Sequence, residues 1–235
     1  MILVASYNIR KAIGTDRRRR PERIFDVLGE LDADVVALQE ADRRFGARHS
    51  ALPGTLLGEH ATYKPVPFDV RPGSLGWHGN ALLVRRSARI IDQRILHLPC
   101  LEPRGAVVAE VEINHRPLRI VGMHLDISGL HRRRQARVIL DELARQDEMP
   151  TVMMGDLNEW NPHGGCLKEF AKHFAIAHSG PSFHAQRPVA RLDRIMVSPE
   201  FEILASGTHH SINAARASDH LPVWARLRLA GSVEQ

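Results

Sequence analysis

Short apolar runs recur along the whole chain, most of them bounded by Gly, Pro, Asp or Asn. Ile2–Tyr7, Val35–Gln39, Asn80–Val84, Ala106–Val111, Leu118–His124, Thr151–Met154, Leu192–Val197 and Val223–Leu229 have the length and punctuation of strands. Two stretches carry helical spacing instead. Pro21–Leu31 places Ile24, Val27, Leu28 and Leu31 on one face, with its proline in the first turn, where a missing N–H costs little. Leu130–Gln146 does the same with Ala136, Ile139, Leu140 and Leu143, and Pro150 follows its end. A shorter helix is predicted over Cys166–His173. Strands interleaved with a few helices predict an α/β layered domain. No linker, low-complexity segment or repeat divides the chain, so residues 1–235 read as one domain.

Polar side chains gather where the predicted strands end: Asn8 after the first, Glu40 after the second, His124 after a later one, then Asp156 and Asn158. Sheet-based enzymes build sites at such ends. Gly155-Asp156-Leu157-Asn158 offers a carboxylate that can bind a cation or take a proton, and an amide that can bond a phosphoryl oxygen. An Asx turn after a strand would look the same. Ser218-Asp219-His220 sets a carboxylate beside an imidazole, either a ligand with a base or a capped turn. Glu40 is a carboxylate suited to a hard cation. Asn8 ends the first strand, and Asp193-Arg194 interrupts an apolar one. Each segment has a bland reading alone; their conjunction carries the chemistry.

Composition narrows the partners. A formal charge of +5 favours polyanions: nucleic acid, phosphorylated metabolites or anionic lipid headgroups. Two arginine runs, Arg17–Arg20 and Arg132–Arg134, read either as phosphate collectors or as a solvated loop and a solvated helix face. Only 5% of residues are aromatic, which argues against a base-stacking platform. The apolar opening Ile2–Ala5 is too short for a signal peptide, and no run approaches the roughly 18 residues a bilayer span needs. The two cysteines, Cys100 and Cys166, suggest no disulfide framework. A cytoplasmic monomer is expected.

These segments, in this order, resemble the endonuclease/exonuclease/phosphatase superfamily, the deoxyribonuclease I-like group that also holds abasic-site endonucleases, inositol-polyphosphate 5-phosphatases and neutral sphingomyelinases. The likeness runs from Asn8 to His220, with Gly79-Asn80-Ala81, Pro103-Arg104-Gly105 and Gly122-Met123-His124-Leu125 as secondary motifs. It implies a four-layer α/β sandwich, two mixed sheets face to face with helices outside. It also implies a Mg²⁺- or Mn²⁺-dependent phosphoesterase.

In that resemblance Glu40, Asn8 and Asp219 hold the cation. His220, held by Asp193, or else Asp156 activates the attacking water. Asn158, Arg104 and His124 steady the charge on phosphorus, with Asn80 and His78 beside Arg104 as substrate contacts. His78 stands where deoxyribonuclease-type members have a carboxylate supporting the His124 position. It either touches phosphate or hydrogen-bonds within a turn. The segment Met123-His124-Leu125-Asp126 lacks the tyrosine of abasic-site endonucleases, so a phosphodiesterase or phosphatase is expected ahead of a DNA/RNA nuclease. The reading of another class is a catalytically idle module that binds phosphorylated ligands or a protein.

Overall fold

A computed structural model describes residues 1–43, 49–68, 70 and 72–230. Its two mixed sheets have six strands each. In the first, β11 (Phe201–Thr208), β12 (Val223–Leu229), β1 (Ile2–Asn8), β2 (Val35–Gln39), β4 (Ala81–Arg85) and β3 (Tyr63–Pro65) lie in that order. The second runs β5 (Arg89–His97), β6 (Gly105–Ile113), β7 (Arg116–His124), β8 (Thr151–Asp156), β10 (Asp193–Val197) and β9 (Ala175–Ile176).

Each sheet contains one parallel pair, β1 with β2 and β7 with β8. Parallel neighbours need a crossover, supplied by α1 (Pro21–Leu31) in the first case and α3 (Gly129–Ala144) in the second. Three shorter helices complete the fold: α2 (Gly54–Glu59), α4 (Gly165–Phe170) and α5 (Ala214–Ala217).

Side chains alternate across each strand, and the alternation assigns them to layers. Val4, Val35, Ala37, Leu82, Val107, Ile120, Val152, Met154, Ile195 and Val223 meet in the core between the sheets. Ala5, Tyr7, Val36 and Leu38 face the other way, against Ile24, Val27 and Leu28 of α1. On the far side, Val121, Met123 and Met153 pack on Ala136 and Ile139 of α3 and on Leu167 and Phe170 of α4. The layers are therefore helix, sheet, sheet, helix, as the resemblance implies. Each large aliphatic side chain fully buried this way contributes about 1.5–3 kcal/mol.

All eight predicted strands are present, and the α1 bounds coincide with the prediction. Four strands went unread: β3, β5, β9 and β11. Two of them hold only two or three residues. β5 is an edge strand whose Arg89, Asp92 and Gln93 are exposed, a charged pattern that protects an open edge and hides the strand period. The arginine at position 132 fits neither reading of its run. It is buried, bonding Glu159 with Nε and Nη2 and the Ile127 carbonyl with Nη1, and so ties α3 to the loop after β8.

Candidate active site

The same alternation that fills the inter-sheet core builds the site. Asn8 continues the row of Val4, Gln39 that of Ala37, His124 that of Ile120, and Asp156 that of Met154. Asp193 begins the row of Ile195 and Val197. At one end of the sandwich, therefore, the core turns from aliphatic to polar. Strand register aligns the members: His124 pairs with Asp156 across β7–β8, and Asp193 with Asp156 across β10–β8.

Asp156 Oδ2 is the hub. It accepts Asn8 Nδ2 at 3.0 Å from the other sheet, with His124 Nε2 at 3.4 Å and His220 Nε2 at 3.8 Å. His220 Nδ1 lies 2.8 Å from Asp193 Oδ2, which also accepts the Ser182 hydroxyl at 2.5 Å. Burial favours neutral Asp156, yet His124 and His220 outweigh it and hold the carboxyl far below its ordinary range. Burial likewise opposes charge on His220, but Asp193 and Asp156 raise its pKa to about 10.

Beside this group, Lys11, Glu40, His78, Glu102, Arg104 and His124 line a cleft. Glu40 is ion-paired with Lys11, and Asp219 with Arg10 at 3.2 Å. Burial would raise the Glu40 pKa; His124, Lys11 and Arg104 reverse this and lower it. Arg104 Nη1 sits 2.8 Å from both ring nitrogens of His124. Asn158 donates Nδ2 to the Leu125 carbonyl, while its N–H closes an Asx turn on Asp156 Oδ1. The turn reading of this segment therefore holds.

Several cleft residues adopt positive φ: Lys11 (57°), Glu40 (52°), His78 (49°) and Asn158 (49°). Such conformations cost an L-residue about 1 kcal/mol or more and gather where surrounding structure holds a site in shape. Around Glu40 that structure is Gly79, at φ 82°, whose carbonyl accepts the Ala41 N–H. A Cβ there would stand 3.3 Å from the Glu40 Cα, so glycine meets both demands.

The donors present fit a hard divalent cation. Glu40, Asp219 and Asn8 offer oxygen, and the two carboxylates already draw Lys11 and Arg10 onto themselves. Asp156, Asp193 and His220 form a second possible set, with one ligand atom from each within 4.8 Å of the others. There Asp193 Oδ2 and His220 Nδ1 are occupied by one another, and imidazole with two buried carboxylates suits a hard cation less well.

A family model described as Endonuclease/Exonuclease/phosphatase family matches residues 5–220. The chain belongs to that family. No curated protein matches it. Among solved structures it is similar to an endonuclease/exonuclease/phosphatase from Beutenbergia cavernae DSM 12333, with TM-score 0.74 and 23% identity over 98% of this chain and 72% of that one. It is also similar to a mannosyl-6-phosphatase from Bacteroides thetaiotaomicron VPI-5482, with TM-score 0.71 and 22% identity over 97% and 100% of the two chains. D. rerio TDP2 complexed with single strand DNA product gives TM-score 0.74 and 17% identity over 97% and 98%. At these identities the likeness is one of fold.

Of the eleven expected residues, Glu40, His78, Arg104 and His124 line the cleft, while Asn8, Asp156, Asp193 and His220 form the polar group beside it, with Asn158 bonded to Asp156 and Asp219 preceding His220. Asn80 is the exception. It is fully buried, donating Nδ2 to the carbonyls of Trp77 and Gly105, so it braces the turn that carries His78 rather than meeting substrate. His78 lines the cleft beside Arg104 and His124.

Sequence reading missed four contributors to this domain's site. Lys11 and Arg10 sit in a left-handed turn directly after Asn8, a conformation with no residue signature here. Ser182 and Ser218 are braces: Ser218 Oγ donates to the Asn8 carbonyl at 2.7 Å. Serines before a polar motif are too common to signal this. No helix among the described residues is long and apolar enough to cross a membrane.

Proposed function

We propose that the chain is a divalent-cation-dependent phosphoesterase that cleaves a phosphodiester or phosphomonoester by in-line attack of water. One observation carries the reading. Groups from both sheets (Asn8, His124, Asp156, Asp193 and His220) meet in one buried polar cluster, and His124 also lines the cleft that holds Glu40 and Arg104.

Glu40, Asn8 and Asp219 are the residues we assign to Mg²⁺ or Mn²⁺. When bound, the cation supplies Lewis-acid polarisation of the phosphoryl oxygens and lowers the proton affinity of nearby His220. Arg104 and His124 bond the non-bridging oxygens, and Asn158 presents its amide oxygen and remaining N–H to the nucleophile side. Asp193 fixes the His220 ring through Nδ1, leaving Nε2 toward Asp156 and the space where water would stand. Water is oriented by ionised Asp156 and loses its proton to His220. That assignment follows from acidity: Asp156 is held too acidic to take a proton, which leaves the neutral form of His220 as the base.

The formal charge of +5 supports a nuclease as second reading. An idle module is disfavoured because no residue that the proposed roles require is missing from the sequence. The deciding experiment is turnover of bis-p-nitrophenyl phosphate, p-nitrophenyl phosphate, plasmid DNA, RNA and phospholipid, with and without Mg²⁺ or Mn²⁺. Hydrolysis of none of them rejects a phosphoesterase; cutting of nucleic acids alone selects the nuclease.

A further inference from the structure

The loops that carry the cleft residues also carry exposed apolar side chains. Leu101 (70% exposed) lies three residues before Arg104, and Ile127 (63%) three after His124. Leu130 (50%) opens α3, Trp160 (63%) lies two residues after Asn158, and Val189 (71%) lies in the segment leading to Asp193.

Contacts join these loops into one rim. The Leu101 N–H donates to Asp126 Oδ2, and Ile127 follows Asp126. Arg132 binds both the Ile127 carbonyl and Glu159, and Trp160 follows Glu159. The Trp160 ring meets Phe183 at 6.2 Å between centroids. Phe183 in turn meets His220 at 5.0 Å and accepts the Val189 N–H on its carbonyl. Among the described residues, the remaining large exposed hydrophobics, Met1, Ile91, Leu204 and Ile212, lie on other elements.

Exposed Arg133, Arg187 and Arg191 stand among these rim residues in sequence, and none forms an ion pair with a described carboxylate. A small dissolved ester would need none of this apolar surface, and exposed apolar side chains on linked loops that also carry arginines mark a docking face.

We propose that this rim is a docking collar for a bilayer surface bearing anionic lipid, which presents the scissile phosphoester to the cleft from an apolar–water interface. The proposal rests on the phosphoesterase reading for its chemistry but not for its binding. Four of the five collar side chains are aliphatic and one is indole. That set inserts among acyl chains, with tryptophan at the headgroup level and arginines on anionic headgroups. It provides a single π-face, too little for the successive stacking by which single-stranded nucleic acid is held.

The test is co-sedimentation of the full chain with vesicles of phosphatidylcholine alone and of equimolar phosphatidylcholine and phosphatidylglycerol. The wild type is expected to bind the anionic vesicles. The combined exchange Leu101→Ser, Ile127→Ser and Trp160→Ser is expected to weaken that binding roughly tenfold or more. Its Mg²⁺-dependent turnover of bis-p-nitrophenyl phosphate should match the wild type. Trp160→Phe, which keeps an apolar ring, should keep binding. A wild type that ignores vesicles, or a triple variant that binds them equally, overturns the collar. So does a triple variant that loses affinity for a single-stranded oligonucleotide and not for vesicles. A wild type that binds vesicles yet turns over no phosphoester removes the enzymatic reading and leaves the collar standing.

Discussion

His220 is held between two carboxylates, with Nδ1 2.8 Å from Asp193 Oδ2 and Nε2 3.8 Å from Asp156 Oδ2. The two acids come from neighbouring strands, where they face each other in register. One imidazole is therefore oriented on one side and pointed at an anion on the other.

Removing the ring should cost most of the rate. For His220→Ala we expect kcat to fall about 10²–10⁴-fold, the range for a general base. Asp193→Asn should fall within the same range, because the amide can reverse which ring nitrogen carries the proton. Steady-state kinetics on bis-p-nitrophenyl phosphate checks both, and wild-type rates in either variant would refute the assigned roles.

The charge on this pair also has a stability signature. Its folded-state pKa of about 10 lies above the ordinary 6.5. The charged ring therefore contributes in full below about pH 6.5, and the contribution is lost as pH rises toward about 10. The difference in Tm between wild type and His220→Gln, measured in the metal-free protein, should shrink across that window. A difference that stays constant or grows would contradict the account.

The two possible cation sets make opposite forecasts. Glu40→Gln should weaken Mn²⁺ binding by about tenfold or more, as loss of an anionic oxygen ligand from a hard-cation site would. Asp193→Asn should leave the affinity near the wild-type value. Isothermal titration with Mn²⁺ separates them, and the reverse pattern would move the cation to the Asp156, Asp193 and His220 set. Chelation should abolish turnover and be reversed by added Mg²⁺.

Arg132 should matter to folding more than to chemistry. Arg132→Met leaves Glu159 buried and unpaired, at a cost of about 3–5 kcal/mol. Combining it with Glu159→Met should recover much of that loss. Chemical denaturation of the single and double variants tests this. A single variant as stable as the wild type would mean that the pair is dispensable.

How much of this was legible beforehand follows from where information sits in a chain. Core strands announce themselves by apolar runs, which is why β1, β2, β7 and β8 and their terminal Asn8, Glu40, His124 and Asp156 could be read directly. Edge strand β5 has its period broken by Arg89, Asp92 and Gln93, so it stayed hidden. Arg132 looked like surface because nothing local reveals that Glu159, far along the chain, reaches it inside. Asn80 looked like a ligand because sequence does not say which way a side chain turns at the end of a strand. Lys11 was invisible for a fourth reason: left-handed backbone at a non-glycine residue is imposed by tertiary contacts.

The pairing of β1 with β12, which sets Ser6 opposite Val223, has a consequence for biosynthesis. Asn8 and His220 are 212 residues apart (220 − 8), so a chain synthesised only part-way between them lacks half of the proposed centre. On the proposed assignment, hydrolysis requires β12 to zip onto β1, and the appearance of activity during refolding would time that closure.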